Sequence, residues 1–257
     1  MIHGRFADQL GLKISYELIE TGPEGFPQAL EDFRLNGGIG CNVTLPLKRE
    51  AWQLSARASR EVSQAQAANT LKYEASSGWF ANTTDGVGLV TDLTVNNGIG
   101  LEGKRILVLG AGGATASVLG SLLEKQPGQL LLINRNLDRA HALVARFGAS
   151  VHVSVAGWSD LAAESDFDLV INSTSLGHQG EAPDLDRSLF APGAVCYDLN
   201  YHKASLPLKR LCEEMGQSYV DGLGMLVEQA AASFYIWTGE KPNSQSVIEA
   251  LRSGMNP

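Results

Sequence analysis

The chain has 257 residues, with 20 Lys plus Arg against 28 Asp plus Glu, a formal charge of −8. That balance excludes a general nucleic-acid or anionic-membrane binder, which needs a basic face, and leaves room for a local basic pocket that holds one anion. Hydrophobic residues at 44% and charged residues at 19% give a globular profile, and the 28 glycines, about 11% against a usual ~7%, point to turns where backbone approaches a ligand.

Cys41, Cys196 and Cys212 are few, odd in number and far apart in sequence, and the five histidines form no HExxH pair. A disulfide framework and a zinc site are therefore not expected; free thiols and no metal are. His3, Arg5 and Asp8 interrupt any apolar signal-peptide core. Ile106–Leu123 lacks charge but carries Gly110, Gly112, Gly113 and Gly120, so a strand, a turn and a helix suit it better than a membrane span. The expectation is a soluble cytoplasmic chain.

Lys13–Glu20 alternates as a strand, and Gly25–Asn36 places Phe26, Leu30 and Phe33 on one helical face. Gly38–Val43 reads as extended, and Pro46 sits where a helix over Leu47–Arg57 would start. Asn69–Tyr73 and Gly78–Asn82 form a hairpin, and Asp85–Asn96 a helix. From Gly103 onward short apolar runs alternate with helical ones. The predicted strands are Arg105–Leu109, Gln129–Asn134, Val151–Val155, Asp168–Asn172 and Val195–Asp198. The helices are one reaching Lys125, Leu137–Phe147, a short one near Trp158, and Leu206–Met215. This βα alternation predicts an α/β fold with a doubly wound parallel sheet. Two further helices, Leu223–Gly239 and Asn243–Ser253, lie outside the alternation and should return to pack under the first sheet. The resulting division is a discontinuous substrate-binding domain, 1–84 with 222–257, around a Rossmann-type domain, 85–221.

Lys104–Ala116 (KRILVLGAGGATA) is strand, tight turn and helix start in immediate succession. Gly110 permits the turn, Gly112 removes a Cβ where a pyrophosphate would approach, and Gly113 and Ala114 open a helix whose N–H groups face the phosphates. Thr115 stands where the usual GxGxxG pattern has its third glycine. After the second strand, an NAD site places a carboxylate to hold the ribose 2′-hydroxyl. Here Asn134-Arg135 fills that place, with Arg139 one turn later. A guanidinium grips a 2′-phosphate that a carboxylate would repel, so NADP is the expected cofactor.

Three polar clusters accompany this turn: Asn42-Val43-Thr44-Leu45-Pro46-Leu47-Lys48, Asn69-Thr70, and Thr83-Thr84-Asp85-Gly86. Alone, Asp85 reads as a helix cap and Lys48 as a solvated surface cation. In order, however, the segments Asn42–Lys48, Ala67–Thr70, Thr83–Gly88, Gly110–Ala114, Asn134–Arg139 and Asp221–Ala230 resemble the shikimate dehydrogenase family over essentially the whole chain.

That resemblance implies NADP-dependent reduction of 3-dehydroshikimate to shikimate, on the route to aromatic amino acids. It implies Lys48 and Asp85 as the catalytic pair, and Asn69 and Gln229 as partners of the ring hydroxyls. Thr44 and Tyr201 would lie near the substrate carboxylate, and Leu199 and Gly222 at the nicotinamide end. No metal is implied, and oligomeric state is not legible. Two departures stand out. Thr83 replaces the family's Asn. The family also begins with a strand and a G-x-P-x-x-H-S-x-S-P stretch, and Met1-Ile2-His3 aligns just after it. The two serines of that stretch hold the substrate carboxylate; two hydrogen bonds to a charged group are worth roughly 3–6 kcal/mol, or about 10²- to 10⁴-fold in affinity. The alternatives are therefore a truncated, impaired homologue that binds NADP only, or a quinate/shikimate dehydrogenase using NAD.

Overall fold

The computed structural model describes residues 2–148 and 153–254. In its first part, α1 (Ile2–Leu10) and α2 (Phe26–Leu35) precede β1 (Gly40–Asn42), α3 (Lys48–Gln53), β2 (Arg57–Ala58) and α4 (Arg60–Ala65). A hairpin follows, β3 (Thr70–Glu74) and β4 (Gly78–Asn82), and then α5 (Asp85–Thr91), which runs on as a π-helical turn, Asp92–Asn96. The four strands form one sheet in the order β1-β3-β4-β2. Phe26 and Leu30 of α2 pack with Val43, Ala51, Leu71 and Ala81 as its core.

The second part holds β5 (Arg105–Leu109), α6 (Gly113–Leu123), β6 (Gln129–Ile133), α7 (Leu137–Ala145) and β7 (Val153–Ala156). It continues with β8 (Phe167–Asn172), β9 (Phe190–Asp198), α8 (Leu206–Met215) and β10 (Ser218–Val220). All six strands pair in parallel, in the order β10-β9-β8-β5-β6-β7. Buried on both faces, β5, β6 and β8 read as unbroken apolar runs, which is why they are legible in the sequence. Val151 and His152 of the expected third strand lie outside the described residues. Finally, α9 (Leu223–Thr238) and α10 (Ser244–Ser253) pack with α1 around Phe6, Val227, Phe234 and Val247. The tail also reaches the first sheet, where Trp237 Nε1 donates to Leu71 O at 2.9 Å and Lys72 Nζ to Ile236 O at 2.6 Å. No described helix is long and apolar enough to cross a membrane.

Several expectations are corrected. Lys13–Glu20 is not a strand: every residue in it is exposed, and none makes a backbone–backbone hydrogen bond. Alternation supplies one apolar face, but a strand also needs a ladder partner. The segment lies across a groove from β1, with Tyr16, Leu18, Phe26, Phe33, Cys41 and Thr44 among the lining. Tyr73 N donates to Ile39 O and Val43 N to Asn69 O, so the backbone groups of Gly40 and Asn42 turn away from β3 toward this groove. The helix expected over Leu47–Arg57 is only Lys48–Gln53. Ser55 Oγ bonds back to Ala51 O at 2.6 Å, and Arg57–Ala58 leaves to pair with β4. Helices α1 and α4 and strand β10 were not expected at all. Cys196 and Cys212, distant in sequence, are both buried in one apolar cluster and remain free thiols.

Candidate active site

Lys48 opens α3 and Asp85 opens α5, and Lys48 Nζ donates to Asp85 Oδ2 at 2.6 Å. Both side chains are largely shielded, at 17% and 10% exposure, so this ion pair is screened far less than a surface one. Asp85 is not the helix cap: Thr84 holds the cap position, and the Asp85 carboxylate turns inward. Its Oδ1 accepts from Asn69 Nδ2 at 2.8 Å, and the same amide lies 3.2 Å from Gln229 Oε1. Asn69 Oδ1 in turn accepts from Thr84 N at 2.9 Å, which fixes which way the amide faces.

The polar chain extends away from the ion pair. Thr70 Oγ1 meets Ser233 Oγ at 2.7 Å, and Ser233 accepts from Asn42 Nδ2 at 3.0 Å. Asn42 Oδ1 then takes His3 Nε2 at 2.9 Å and Tyr16 OH at 2.8 Å. Sequence reasoning missed Ser233 and His3 as parts of this network, whereas Thr70 belongs to the Asn69-Thr70 cluster it singled out. For Ser233 a signal existed: it follows Gln229 by four residues, so both share one face of α9.

Helix packing sets these positions. A Cβ at Gly88 would lie 2.8 Å from Gln229 Cβ and N, and one at Gly224 would lie inside the Asp92 carboxylate. Both glycines let α5 and α9 approach closely enough for Asp85 and Gln229 to share Asn69.

The second feature is a cleft of about 770 Å³ at the C-terminal ends of the parallel strands. Gly110, Ala111, Gly112, Gly113, Ala114, Asn134, Arg135, Arg139 and Leu199 all line it. Gly110 has φ +98°, a conformation that L side chains rarely adopt, and a Cβ at Gly112 would meet open space. Ala111 N donates to Asn134 Oδ1 at 3.0 Å, so Asn134 braces the turn. Thr115, in place of the third glycine, is fully buried and bonds Ser173 Oγ at 2.9 Å, tying the start of α6 to the loop after β8. Arg135 and Arg139 are exposed and form no ion pair among the described residues. The backbone cradle at a helix N-terminus and two uncommitted guanidinium groups fit a dinucleotide that carries an extra phosphate. Leu45, in the segment leading to Lys48, also lines the cleft and comes within 3.5 Å of a Cβ built at Gly113.

Three expected residues stand differently. Gly222 packs beneath the cleft lining, where its N–H donates to Asn200 O at 3.0 Å and a Cβ would collide with Leu199 O. Thr44 is exposed on the groove beside β1, its hydroxyl 3.5 Å from Leu45 O. Tyr201 is exposed beside His202, with ring centroids 5.2 Å apart. Neither hydroxyl bonds to the Lys48 cluster. No group of three or more His, Cys, Asp or Glu side chains among the described residues could hold a metal.

Three family profiles match the chain: the shikimate dehydrogenase substrate binding domain over residues 1–71, shikimate / quinate 5-dehydrogenase over 93–179, and the shikimate 5′-dehydrogenase C-terminal domain over 222–252. The shikimate dehydrogenase (NADP(+)) of Alkalilimnicola ehrlichii is 47% identical over 98% of this chain and 92% of its own length. This chain belongs to the shikimate dehydrogenase family. The shikimate dehydrogenase (NADP(+)) of Dechloromonas aromatica is 42% identical over the same shares. Among solved structures, the Ael1 enzyme of Pseudomonas putida superposes with a TM-score of 0.91 at 37% identity, covering 97% of this chain and 92% of that one. The Thermus thermophilus shikimate 5-dehydrogenase, solved with NADP(H) and shikimate, superposes with a TM-score of 0.82 at 30% identity, covering 99% and 93%. The two-sheet α/β architecture is thus that of the shikimate dehydrogenase family.

Proposed function

We propose that this chain reduces 3-dehydroshikimate to shikimate with NADPH, reversibly, through Lys48 and Asp85. In this reading residues 1–84 and 222–257 carry the substrate, and 85–221 the dinucleotide. The carrying observation is the shielded 2.6 Å Lys48–Asp85 pair, set on a segment whose Leu45 borders the glycine-turn cleft.

NADPH, when bound, supplies the hydride. The Lys48 ammonium is paired with the Asp85 carboxylate, which holds it in orientation. As negative charge grows on the ketone oxygen, the ammonium stabilises it and gives it a proton. Asn69 and Gln229, already within hydrogen-bond reach of one another, present amide groups to the ring hydroxyls. Arg135 and Arg139 would hold the 2′-phosphate of a bound NADPH, and the N–H groups at the start of α6 its pyrophosphate. Thr44 and Tyr201 are the candidates near the substrate carboxylate, reaching it from exposed positions.

Loss of NADPH absorbance with 3-dehydroshikimate tests the reading, with Lys48→Ala as control. A fall in kcat of about 10²- to 10⁴-fold, with KM changed far less, supports Lys48 as the proton donor. The opposite split would make it a binding residue only. A second reading, a chain that binds NADPH but turns substrate over poorly, is favoured by the open groove beside Thr44. NADPH binding without turnover would select it. Faster turnover with quinate and NAD than with shikimate and NADP would overturn both.

A further inference from the structure

The loops that leave β8 and β9 contribute Ser173, Thr174, Ser175, Leu199 and Asn200 to the cleft lining. In the sheet order β9-β8-β5-β6, the glycine turn after β5 is central and Arg135 follows β6 on one side of it. If the 2′-phosphate half of the cofactor lies over β6, the nicotinamide half lies over the exits of β8 and β9. Asp198 ends β9 at that place. It is fully buried, and no cation pairs with it among the described residues.

A buried carboxylate without a cation is costly unless hydrogen bonds replace the lost water. Here a single oxygen collects them. Asp198 Oδ1 accepts from Asn172 Nδ2 at 2.9 Å, from Asn200 N at 3.0 Å and from Asn200 Nδ2 at 2.9 Å. Asn172 Oδ1 accepts from Thr174 N at 3.1 Å and Thr174 Oγ1 at 2.7 Å, and Asn200 Nδ2 also reaches Thr174 O at 3.1 Å. Among the described residues the other oxygen, Oδ2, has only Tyr219 OH, at 3.4 Å. Beyond the strand ends the two loops share the backbone bond from Leu199 N to Asn172 O at 2.9 Å, and Asp198 Oδ1 fastens their side chains and the Asn200 amide at one further atom. Burial pushes the Asp198 carboxyl up to about 6, against the pull of these donors, so the site holds the group at a real cost.

We propose that Asp198 is a positioning residue for the nicotinamide half of the cofactor: its Oδ1 locks the 172–175 and 199–200 loops into one rigid floor. The proposal rests on reading the cleft as an NADP site, and it places Asp198 out of contact with the reacting atoms.

The test compares NADPH with 2′,5′-ADP, which carries only the half that Arg135 and Arg139 would hold. Asp198→Ala should weaken NADPH binding about tenfold or more and lower nicotinamide fluorescence anisotropy, while 2′,5′-ADP affinity and the KM for 3-dehydroshikimate stay within about twofold. Asp198→Asn should restore NADPH binding to within about threefold, because its amide oxygen can take the same three donors and its NH₂ faces Tyr219 OH. Parallel loss of NADPH and 2′,5′-ADP binding would reduce Asp198 to general stability and overturn the proposal, as would an unchanged Asp198→Ala or an Asp198→Asn no better than Ala. If Asp198→Ala does not fold, Asn200→Ala must show the same NADPH-selective loss; equal affinity changes for both ligands would sink the idea. Wild-type chain that binds NADPH without turnover counts against the proposed reaction alone, whereas wild-type chain that binds neither ligand removes the NADP reading and this inference with it.

Discussion

His3 carries no charge in this fold. Its Nε2 donates to Asn42 Oδ1, its ring lies 4.3 Å from that of Tyr16 and 5.1 Å from that of Trp237, and its Nδ1 has no partner among the described residues. Burial drives its pKa down to about 4, with the Asn42 bond opposing only in part. A histidine lowered in the folded state binds fewer protons than the unfolded chain between about pH 6.5 and 4, so stability is lost as pH falls through that window. Between pH 7 and 5 this amounts to about 2 kcal/mol. Asp198 works in the opposite sense, because its raised pKa favours the folded state at low pH. The measurement is therefore a difference: wild type minus His3→Gln, by urea unfolding at both pH values. A pH-independent difference would mean that His3 binds protons alike in the folded and unfolded chain, and a difference that grows in the opposite direction would mean that it is charged in the fold. At the other end of the molecule, Arg135→Ala should raise the KM for NADPH about tenfold and leave that for NADH nearly unchanged, as expected for loss of a charged hydrogen-bonding partner of a phosphate. An equal effect on both cofactors would remove Arg135 from the 2′-phosphate.

At the scale of elements, α5 and α9 behave as one unit because glycines remove the side chains between them. Gly88→Ala would push a methyl against Gln229 Cβ and N and Met225 O, each 2.8 Å from the new atom, and two of those are backbone. A loss of about 1–3 kcal/mol in stability is expected, with kcat falling as Gln229 moves off Asn69. Unchanged stability and kinetics would show that the helices can part at no cost. The close approach of α5 and α9 was only half legible: the motif places Gly88 three residues after Asp85, but nothing in the sequence says which helix fills the gap. The parallel strands were legible because burial on both faces leaves continuous runs such as Ile106–Leu109 and Leu130–Ile133. Helix α1 was missed because His3, Gly4 and Arg5 blur its apolar stripe, and Phe6 and Ala7 find their partners only in α9 and α10, far along the chain. Lys13–Glu20 failed for the converse reason, since its pattern is right and its neighbour is lacking. In the candidate site, the residue types and their order were readable. The hydrogen-bond partners were not, because Asn42, Asn69 and Ser233 each draw a bond from a segment that the sequence does not mark as adjacent.

Across the whole molecule, the two sheets meet at the α5–α9 pair, and a buried bond ties the second sheet to it. Tyr197, fully buried on β9, donates its hydroxyl to Asp92 Oδ2 at 2.7 Å, at the start of the π-helical turn. Asn96 Nδ2 bridges Asp92 Oδ1 at 2.8 Å to Glu228 Oε1 at 3.0 Å, and Ser244 Oγ gives Glu228 a further donor at 2.8 Å. Two buried carboxylates, one from α9, are thus held by neutral donors from three directions. The Tyr197 hydroxyl is kept well above its usual range by burial first and by Asp92 second, so it remains a donor at any working pH. Tyr197→Phe keeps the ring and removes that donor. Leaving a buried carboxylate one hydrogen bond short costs about 1.5–3 kcal/mol, which for a chain of this size lowers Tm by roughly 3–12 °C. Because Tyr197 lies one residue before Asp198 and Asp92 one turn beyond Gly88, the loss should also loosen the nucleotide sheet against the helix pair that carries Asp85 and Gln229. The expected signature in calorimetry is a broadened or split transition that NADPH restores to a single one. A lower Tm with one sharp transition, unchanged in width by NADPH, would make the Tyr197–Asp92 bond a contributor to stability without a role in joining the two sheets.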